Sequence, residues 1–139
     1  MDLSKKPDQS GSLTDNKLSI LIVEDNAINL RLITAALTRA GHRVDTATDG
    51  QVAVEKFKEN SYDAILMDIM MPVMDGLTAA REIRKVESSR LKPDRKKVKI
   101  IAVTANAFED DRNKFIECGM DYYMNKPVEL EELIKILQL

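Results

Sequence analysis

The sequence predicts a doubly wound α/β fold, in which helices cover both faces of a five-stranded parallel sheet. Short apolar runs alternate with segments of helical periodicity five times along the 139 residues. The runs, of which Leu18–Val23 is the first, are continuous rather than alternating, and this is typical of strands buried on both faces. One domain accounts for a chain of this length.

The first three strand–helix units follow one another closely. In the first unit the strand is Leu18–Val23 and its helix ends before Gly41. In the second the strand is His42–Ala47 and the helix is Gln51–Asn60, and in the third the strand is Tyr62–Met67 and the helix runs from Gly76 to about Glu87. Asp25 or Asn26 caps the first helix, and Gly41 ends it. Apolar residues of the first helix recur at helical spacing, at Leu30, Ile33, Leu37 and Ala40. The second helix carries Val52, Val54 and Phe57.

Two further units complete the chain. The fourth strand is Lys99–Val103 and its helix is Glu109–Cys118. The fifth strand is Asp121–Asn125 and its helix is Val128–Leu137. Gly119 stands where a glycine commonly ends a helix. The last helix is predicted to bury one apolar face, made of Leu130, Leu133, Ile134 and Leu137.

Composition argues against several classes of protein. The chain has 21 basic and 23 acidic residues and a formal net charge of −2, which is unlike a nucleic-acid binder. No apolar run is long enough to insert into a membrane, and the polar segment Met1–Ser10 is unlike a signal peptide. The single cysteine, Cys118, can neither form an intramolecular disulfide nor anchor a zinc site alone. We therefore expect a cytoplasmic protein.

The N-terminal segment differs from the rest of the chain. Residues 1–17 contain only scattered apolar residues among Ser, Asp, Lys, Pro and Gly, so we expect a flexible tail or linker. The segment is open to three interpretations, as an interdomain linker, a native leader or a remnant of cloning. Residues 18–139 are predicted to form the domain.

Polar side chains follow four of the predicted strands. Glu24 and Asp25 follow the first strand, Asp68 the third, Thr104 the fourth and Lys126 the fifth. In a parallel α/β sheet the ligand site lies outside the carboxyl ends of the strands. The sequence therefore predicts that three carboxylates, a hydroxyl and an ammonium converge at one edge.

Such a cluster needs a cation and suits a phosphoryl group. Two carboxylates about 4 Å apart repel by roughly 4 kcal/mol at an effective dielectric constant of about 20. The oxygen-only set Glu24, Asp25 and Asp68 favours Mg²⁺, with Mn²⁺ as the alternative. Lys126 adds a fixed positive charge and Thr104 a hydroxyl donor, and together with a metal they are the means of holding a phosphoryl group. A carboxylate in that setting can act as the nucleophile and form an aspartyl phosphate.

Four motifs resemble the receiver (phosphoacceptor) domain of two-component response regulators. They are Leu21-Ile-Val-Glu-Asp-Asn26, Leu66-Met-Asp-Ile-Met-Met-Pro-Val-Met-Asp-Gly76, Val103-Thr-Ala-Asn-Ala107 and Tyr123-Met-Asn-Lys-Pro127. The resemblance covers Leu18 to the C terminus, and it is greatest to receivers of hybrid sensor histidine kinases. It implies a flavodoxin-like (βα)5 fold.

The resemblance also implies roles for the site residues. Asp68 would accept a phosphoryl group from a phosphohistidine. Asp25 and Asp68 would bind Mg²⁺ directly, with Glu24 acting through water and the backbone carbonyl of Met70 as a further ligand. Lys126 would bridge the acidic cluster and the phosphoryl oxygens.

Further residues are assigned to switching and to hydrolysis. On phosphorylation Thr104 would move to hydrogen-bond the phosphate, and Tyr123 would swing inward behind it. Met70 and Asn106 would flank the path of the attacking water. Because a thioether cannot orient water and Asn106 carries no base, we expect slow autodephosphorylation.

The function predicted from these residues is a phosphorylation-switched signalling module rather than an enzyme. Its expected partners are a histidine kinase or a histidine phosphotransfer domain and a downstream protein. An alternative is a phosphorelay receiver of a hybrid kinase without an output of its own. A Mg²⁺-dependent aspartyl-phosphate phosphatase is disfavoured, because such enzymes usually have a second acid two residues after the nucleophile and Met70 stands there. A degenerate receiver used as a scaffold is disfavoured because all five site residues are present.

Overall fold

The computed structural model describes residues 17–90, 96–105 and 112–139. Five strands alternate with five helices within these ranges. The strands are β1 (Ser19–Val23), β2 (Arg43–Ala47), β3 (Ala64–Asp68), β4 (Lys99–Thr104) and β5 (Tyr122–Asn125). The helices are α1 (Ala27–Arg39), α2 (Gly50–Glu59), α3 (Gly76–Ser89), α4 (Arg112–Glu117) and α5 (Leu130–Leu137). The predicted doubly wound α/β fold is confirmed, whereas the predicted tail over residues 1–17 lies outside the described residues except for Lys17.

The strands of the described chain form one parallel sheet in the order β2-β1-β3-β4-β5. The chain adds β2 on one side of β1 and then adds β3, β4 and β5 on the other side. In sheets of this order the ligand crevice lies where the side changes, between β1 and β3. Val23 pairs with Met67 across β1 and β3. The residues that follow, Glu24 and Asp68, are therefore neighbours at the carboxyl edge.

Two apolar cores lie on opposite faces of the sheet. Alternate strand residues point to opposite faces, so Ile20 and Ile22 join one core whereas Leu21 and Val23 join the other. Helices α1 and α5 cover the first face, and α2, α3 and α4 cover the second. Cys118 is a free thiol buried in the second core, as expected. No helix in the described ranges combines the length and apolar character needed to cross a membrane.

Three helices have an Asn or Asp cap at the N terminus. Asn26, rather than Asp25, caps α1 by accepting a hydrogen bond from the amide of Asn29, which settles the alternative that the sequence left open. Asp49 and Asp75 cap α2 and α3 in the same way. Asp25 therefore remains available at the carboxyl edge of the sheet.

The boundaries of several elements differ from the predicted ones. Asp68 and Thr104 are the last residues of β3 and β4 rather than the residues that follow them. Asp121 lies just before β5, where its carboxylate accepts a hydrogen bond from the amide of Ile100. The predicted fourth helix began at Glu109, but residues 106–111 lie outside the described ranges and α4 is described from Arg112.

The predicted apolar face of the last helix is partly wrong. Leu133 and Leu137 are buried, but Leu130 and Ile134 are 42% and 37% exposed. Helix α5 starts two residues later than predicted, after Glu129, and it turns Ile136 toward the core instead. Ala40, predicted on the apolar face of α1, is its exposed C-terminal cap.

Candidate metal centre

The carboxyl ends of β1 and β3 bring three carboxylates together. Glu24, Asp25 and Asp68 each offer an oxygen, and these oxygens all lie within 4.8 Å of one another. Glu24 and Asp68 are buried, at 5% and 2% exposed, whereas Asp25 is exposed. The cluster is therefore closed on the side of the sheet and open to solvent at Asp25.

Lys126 supplies one positive charge to the cluster. Its ammonium nitrogen lies 3.0 Å from Oδ2 of Asp68, and its side chain is 29% exposed. The peptide bond between Lys126 and Pro127 is cis. The amide of Lys126 donates to the carbonyl of Thr104 at 2.8 Å, so that the end of β4 and the lysine are tied together.

Burial shapes the electrostatics of Glu24. It raises the pKa of this carboxyl group above its ordinary value, and the neighbouring Asp68 charge raises it further. The hydrogen bond from the amide of Asn26 and the ammonium of Lys126 act in the opposite direction. The environment is one in which a further cation would be strongly favoured.

The loop between β3 and α3 is folded tightly against Asp68. The amide of Met70 donates to Oδ1 of Asp68 at 3.2 Å, and the amide of Gly76 donates to the carbonyl of Ile69 at 3.0 Å. At Val73 the backbone turns with a φ of +68°, and the amide of Met74 donates to the carbonyl of Pro72. Such a tight turn is rare and strained for a β-branched residue.

Thr104 and Tyr123 differ in their exposure to solvent. Thr104 ends β4 and is 4% exposed. Tyr123 lies in β5 and is 37% exposed, with its ring centroid 6.3 Å from that of Phe115. The guanidinium carbon of Arg112 lies 4.8 Å from the centroid of the same ring.

The donor set fits a hard divalent cation. Three carboxylates offer only oxygen atoms, two of them from buried groups, and one lysine is too little positive charge to balance three negative charges. Mg²⁺ prefers such oxygen ligands and retains part of its water shell, which the exposed Asp25 allows. A divalent cation held by this cluster would, together with Lys126, supply the positive charge needed to balance a dianionic group at Asp68.

Most of the predicted site residues are found at this edge. Glu24, Asp25, Asp68 and Lys126 lie together, and Thr104 ends the neighbouring strand. The side chain of Met70 is 77% exposed, and Asn106 lies outside the described residues.

Sequence reasoning missed two kinds of neighbour. It did not associate Arg112 and Phe115 with Tyr123, because no spacing in the sequence relates α4 to β5. It also missed the contact of Gly76 with the backbone of Asp68, although a glycine at the first position of a helix is an available signal.

A cavity of about 120 Å³ lies beside the cluster. It is lined by Glu24, Asn29, Leu32, Ile33, Lys126, Pro127 and Val128.

Comparison with known proteins identifies relatives over nearly the whole chain. Residues 20–138 match the family described as "Response regulator receiver domain". The chain is 34% identical to "Probable histidine kinase 1" of Oryza sativa subsp. indica and 40% identical to "Peroxide stress-activated histidine kinase mak1" of Schizosaccharomyces pombe. Each similarity covers 91% of this chain, but only 16% and 8%, respectively, of the two kinases.

Solved structures give the same result. The receiver domain of the sensor histidine kinase PA1611 of Pseudomonas aeruginosa, which has magnesium coordinated in its active-site cleft, is 45% identical with a TM-score of 0.76. That similarity covers 88% of this chain and 95% of the other. The receiver domain of Saccharomyces cerevisiae Ssk1, solved with the histidine phosphotransfer protein Ypd1, is 34% identical with a TM-score of 0.82, over 88% and 87% of the chains.

The predicted resemblance is thus confirmed in family, in fold and in its bias toward hybrid histidine kinases. The chain belongs to the response regulator receiver domain family of two-component signalling.

Proposed function

We propose that this chain accepts a phosphoryl group from a phosphohistidine onto Asp68 and thereby changes its protein-binding face. The observation that carries the proposal is the position of the Asp68 carboxylate. It is 2% exposed, within 4.8 Å of two other carboxylates and 3.0 Å from the Lys126 ammonium. A buried carboxylate surrounded by cation-binding groups suits nucleophilic attack on phosphorus.

In the proposed step an oxygen of Asp68 attacks the phosphorus atom of the donor. The phosphorus–nitrogen bond breaks, and its electron pair stays on the imidazole nitrogen, which takes a proton from solvent. Lys126 balances the charge that the phosphoryl oxygens bring, because its ammonium already lies at Asp68. Thr104, buried at the end of β4, donates its hydroxyl to a phosphoryl oxygen.

We propose that Asp25, Asp68 and the backbone carbonyl of Met70 hold Mg²⁺ directly and that Glu24 acts through water. Mn²⁺ has the same preference for oxygen ligands and is the alternative. When bound, the ion neutralises the phosphoryl oxygens. The amide of Met70 already contacts Asp68, so the loop that would provide the carbonyl is in place.

Phosphorylation would be transmitted through Thr104 and Tyr123. The phosphoryl group adds a charge of about −1.5 to −2 and strong acceptor oxygens. Thr104 is joined to β5 through the amide of Lys126, and Tyr123 lies on that strand. The expected consequence is that the face formed by α4, β5 and α5 binds a downstream protein differently in the two states.

The upstream partner that fits this role is a histidine kinase or a histidine phosphotransfer domain. The relatives in hybrid kinases also support the alternative role of a phosphorelay receiver without an output of its own. The cytoplasm is the location that fits, since the kinases that phosphorylate histidine use ATP there.

The direct test is transfer from a radiolabelled phosphohistidine donor. The native chain, with a phosphorylated histidine phosphotransfer domain and Mg²⁺, should take up one label that hydroxylamine releases, as it does from acyl phosphates. No transfer from any histidine donor, together with no reaction with acetyl phosphate, would contradict the proposal.

Asp25→Ala should weaken Mg²⁺ binding by at least roughly tenfold, since even the loss of an outer-sphere partner costs 10–100-fold in metal affinity. The metal-free protein should become more stable, because the repulsion among the three carboxylates is relieved. Titration with Mg²⁺ followed by NMR and denaturation in EDTA measure the two effects. Unchanged Mg²⁺ affinity would remove Asp25 from the ligand set.

Ile28→Asp should slow phosphotransfer from a protein donor by roughly tenfold, as expected for an apolar contact worth about 1.4 kcal/mol. Ile28 is 68% exposed on the first turn of α1, three residues after Asp25. Phosphorylation by acetyl phosphate should be unaffected. Ile116→Asp is the matched control, because Ile116 is 69% exposed on α4. Equal slowing with both donors would indicate damage to the site instead.

Met70→Asn should speed dephosphorylation several-fold, because a carboxamide can orient the attacking water and a thioether cannot. The native chain is expected to lose its label slowly. Val73→Asn puts the same carboxamide three residues further along the loop, at an 83% exposed position, and serves as the control. Fast decay in the native protein, or a rate that Met70→Asn leaves unchanged, would refute the proposed role of Met70.

A further inference from the structure

The ring of Tyr123 is held by two side chains of α4. Phe115 is buried and contacts the ring at a centroid distance of 6.3 Å with the planes tilted by 44°. The guanidinium of Arg112 lies over the ring face, 4.8 Å from the centroid. A guanidinium at this distance from an aromatic face is attracted by the ring electrons. The exposed orientation of Tyr123 is therefore stabilised on two sides.

Arg112 is connected to the phosphorylation site through the chain. It is the first residue of α4, and eight positions before it Thr104 ends β4. Tyr123 lies three positions before Lys126, whose ammonium contacts Asp68. Arg112 thus follows Thr104 in the chain and Tyr123 precedes Lys126, and Thr104 and Lys126 are both assigned to the proposed phosphoryl site.

The surroundings of the pair leave room for such a change. Arg112 and Tyr123 line a cavity of about 390 Å³ together with Glu129 and Glu132 of the segment that leads into and forms α5. Both glutamates are exposed, so a guanidinium that leaves the ring finds solvent and carboxylates nearby. Release of the stack is therefore not opposed by burial of an unpaired charge.

We propose that Arg112 is a positioning residue that holds the Tyr123 ring in the outward orientation and so biases the chain toward its resting state. The inference rests on the proposed function in one respect, namely that Tyr123 moves inward when Asp68 is phosphorylated. Loss of the stack removes an interaction that favours only the outward ring. An equilibrium between two orientations then shifts toward the inward one.

The test compares Arg112→Ala with the native chain. Removal of an exposed cation–π contact is worth roughly a two- to fivefold change in an equilibrium constant. In the unphosphorylated protein the inward orientation of the Tyr123 ring should be populated more, as measured by side-chain coupling constants and by contacts to Phe115 in NMR spectra. The affinity for beryllofluoride, a phosphoryl mimic, should rise by the same factor. Arg112→Lys, which keeps the charge but stacks less well, should fall between the two.

Arg39→Ala is the matched control. Arg39 is exposed at the end of α1, so its substitution removes the same charge at a different place. It should change neither measurement. The inference is overturned if Arg112→Ala leaves the ring orientation unchanged, or if Arg39→Ala raises beryllofluoride affinity equally. The ring measurement needs no phosphorylation. Failure of the native chain to bind beryllofluoride would therefore count against the proposed function, while the hold of Arg112 on the ring would still be tested.

Discussion

Asp68→Asn should abolish phosphorylation of this chain by acetyl phosphate in the presence of Mg²⁺. The amide is nearly isosteric with the carboxylate but is not a nucleophile of comparable strength, and it no longer pairs with the ammonium that lies 3.0 Å from Oδ2. Among the carboxylates of the described cluster, Asp68 is the one that contacts Lys126 directly. Intact mass spectrometry should show one phosphoryl adduct on the native chain and none on the variant.

Asp49→Asn is the control for the change of charge and shape. Asp49 caps α2 through a hydrogen bond from the amide of Val52, and Asn is as good a cap as Asp. This variant should be phosphorylated like the native chain. An undiminished adduct on Asp68→Asn would mean that a different side chain is the acceptor, and peptide mapping of that adduct would identify it.

Gly76→Ala should destabilise the fold by about 2–3 kcal/mol, which is at the upper end of the usual cost of overpacking. Gly76 begins α3, and a methyl group there would collide with the backbone carbonyl of Asp68 and lie 2.9 Å from Cα of Ile69. These are backbone atoms of the central strand and its exit, so they cannot rotate away as a flexible side chain can. Chemical denaturation measures the loss of stability.

The same substitution should impair the site, since the atoms that must give way belong to the residue that accepts the phosphoryl group. Phosphorylation by acetyl phosphate should be slower even under conditions in which the variant is fully folded. Gly41→Ala is the control, because its added methyl group meets nothing within 4 Å. It has a φ of +99°, so it should cost about 1–2 kcal/mol from backbone strain alone and leave the phosphorylation rate unchanged. A Gly76→Ala chain as stable and as reactive as the native one would show that α3 can shift away from β3 freely.

Much of the candidate site could be predicted because its residues stand at the ends of strands. Parallel strands present their carboxyl ends at one edge, so the sequence alone placed Glu24, Asp68 and Lys126 on the same edge of the sheet. The prediction of strands buried on both faces is correct for β1, β3 and β4 and wrong for the edge strands β2 and β5, which are partly exposed because each has a neighbouring strand on one side only. Errors of one to two residues at Asp68, Thr104 and Val128 arise because local sequence does not reveal where a ladder or a first helical turn ends.

The sequence by itself therefore determined the alternation of strands and helices, the family and the residues of the acidic cluster. These features are encoded locally, in apolar runs, caps and short motifs. Only the tertiary structure decided the order β2-β1-β3-β4-β5, which puts Glu24 beside Asp68. It also decided which side of α5 is buried, the contact of Gly76 with the Asp68 backbone, and the position of Arg112 over Tyr123. Each of these depends on how two elements distant in sequence pack together, and such contacts follow from the shape of the whole core rather than from any local pattern.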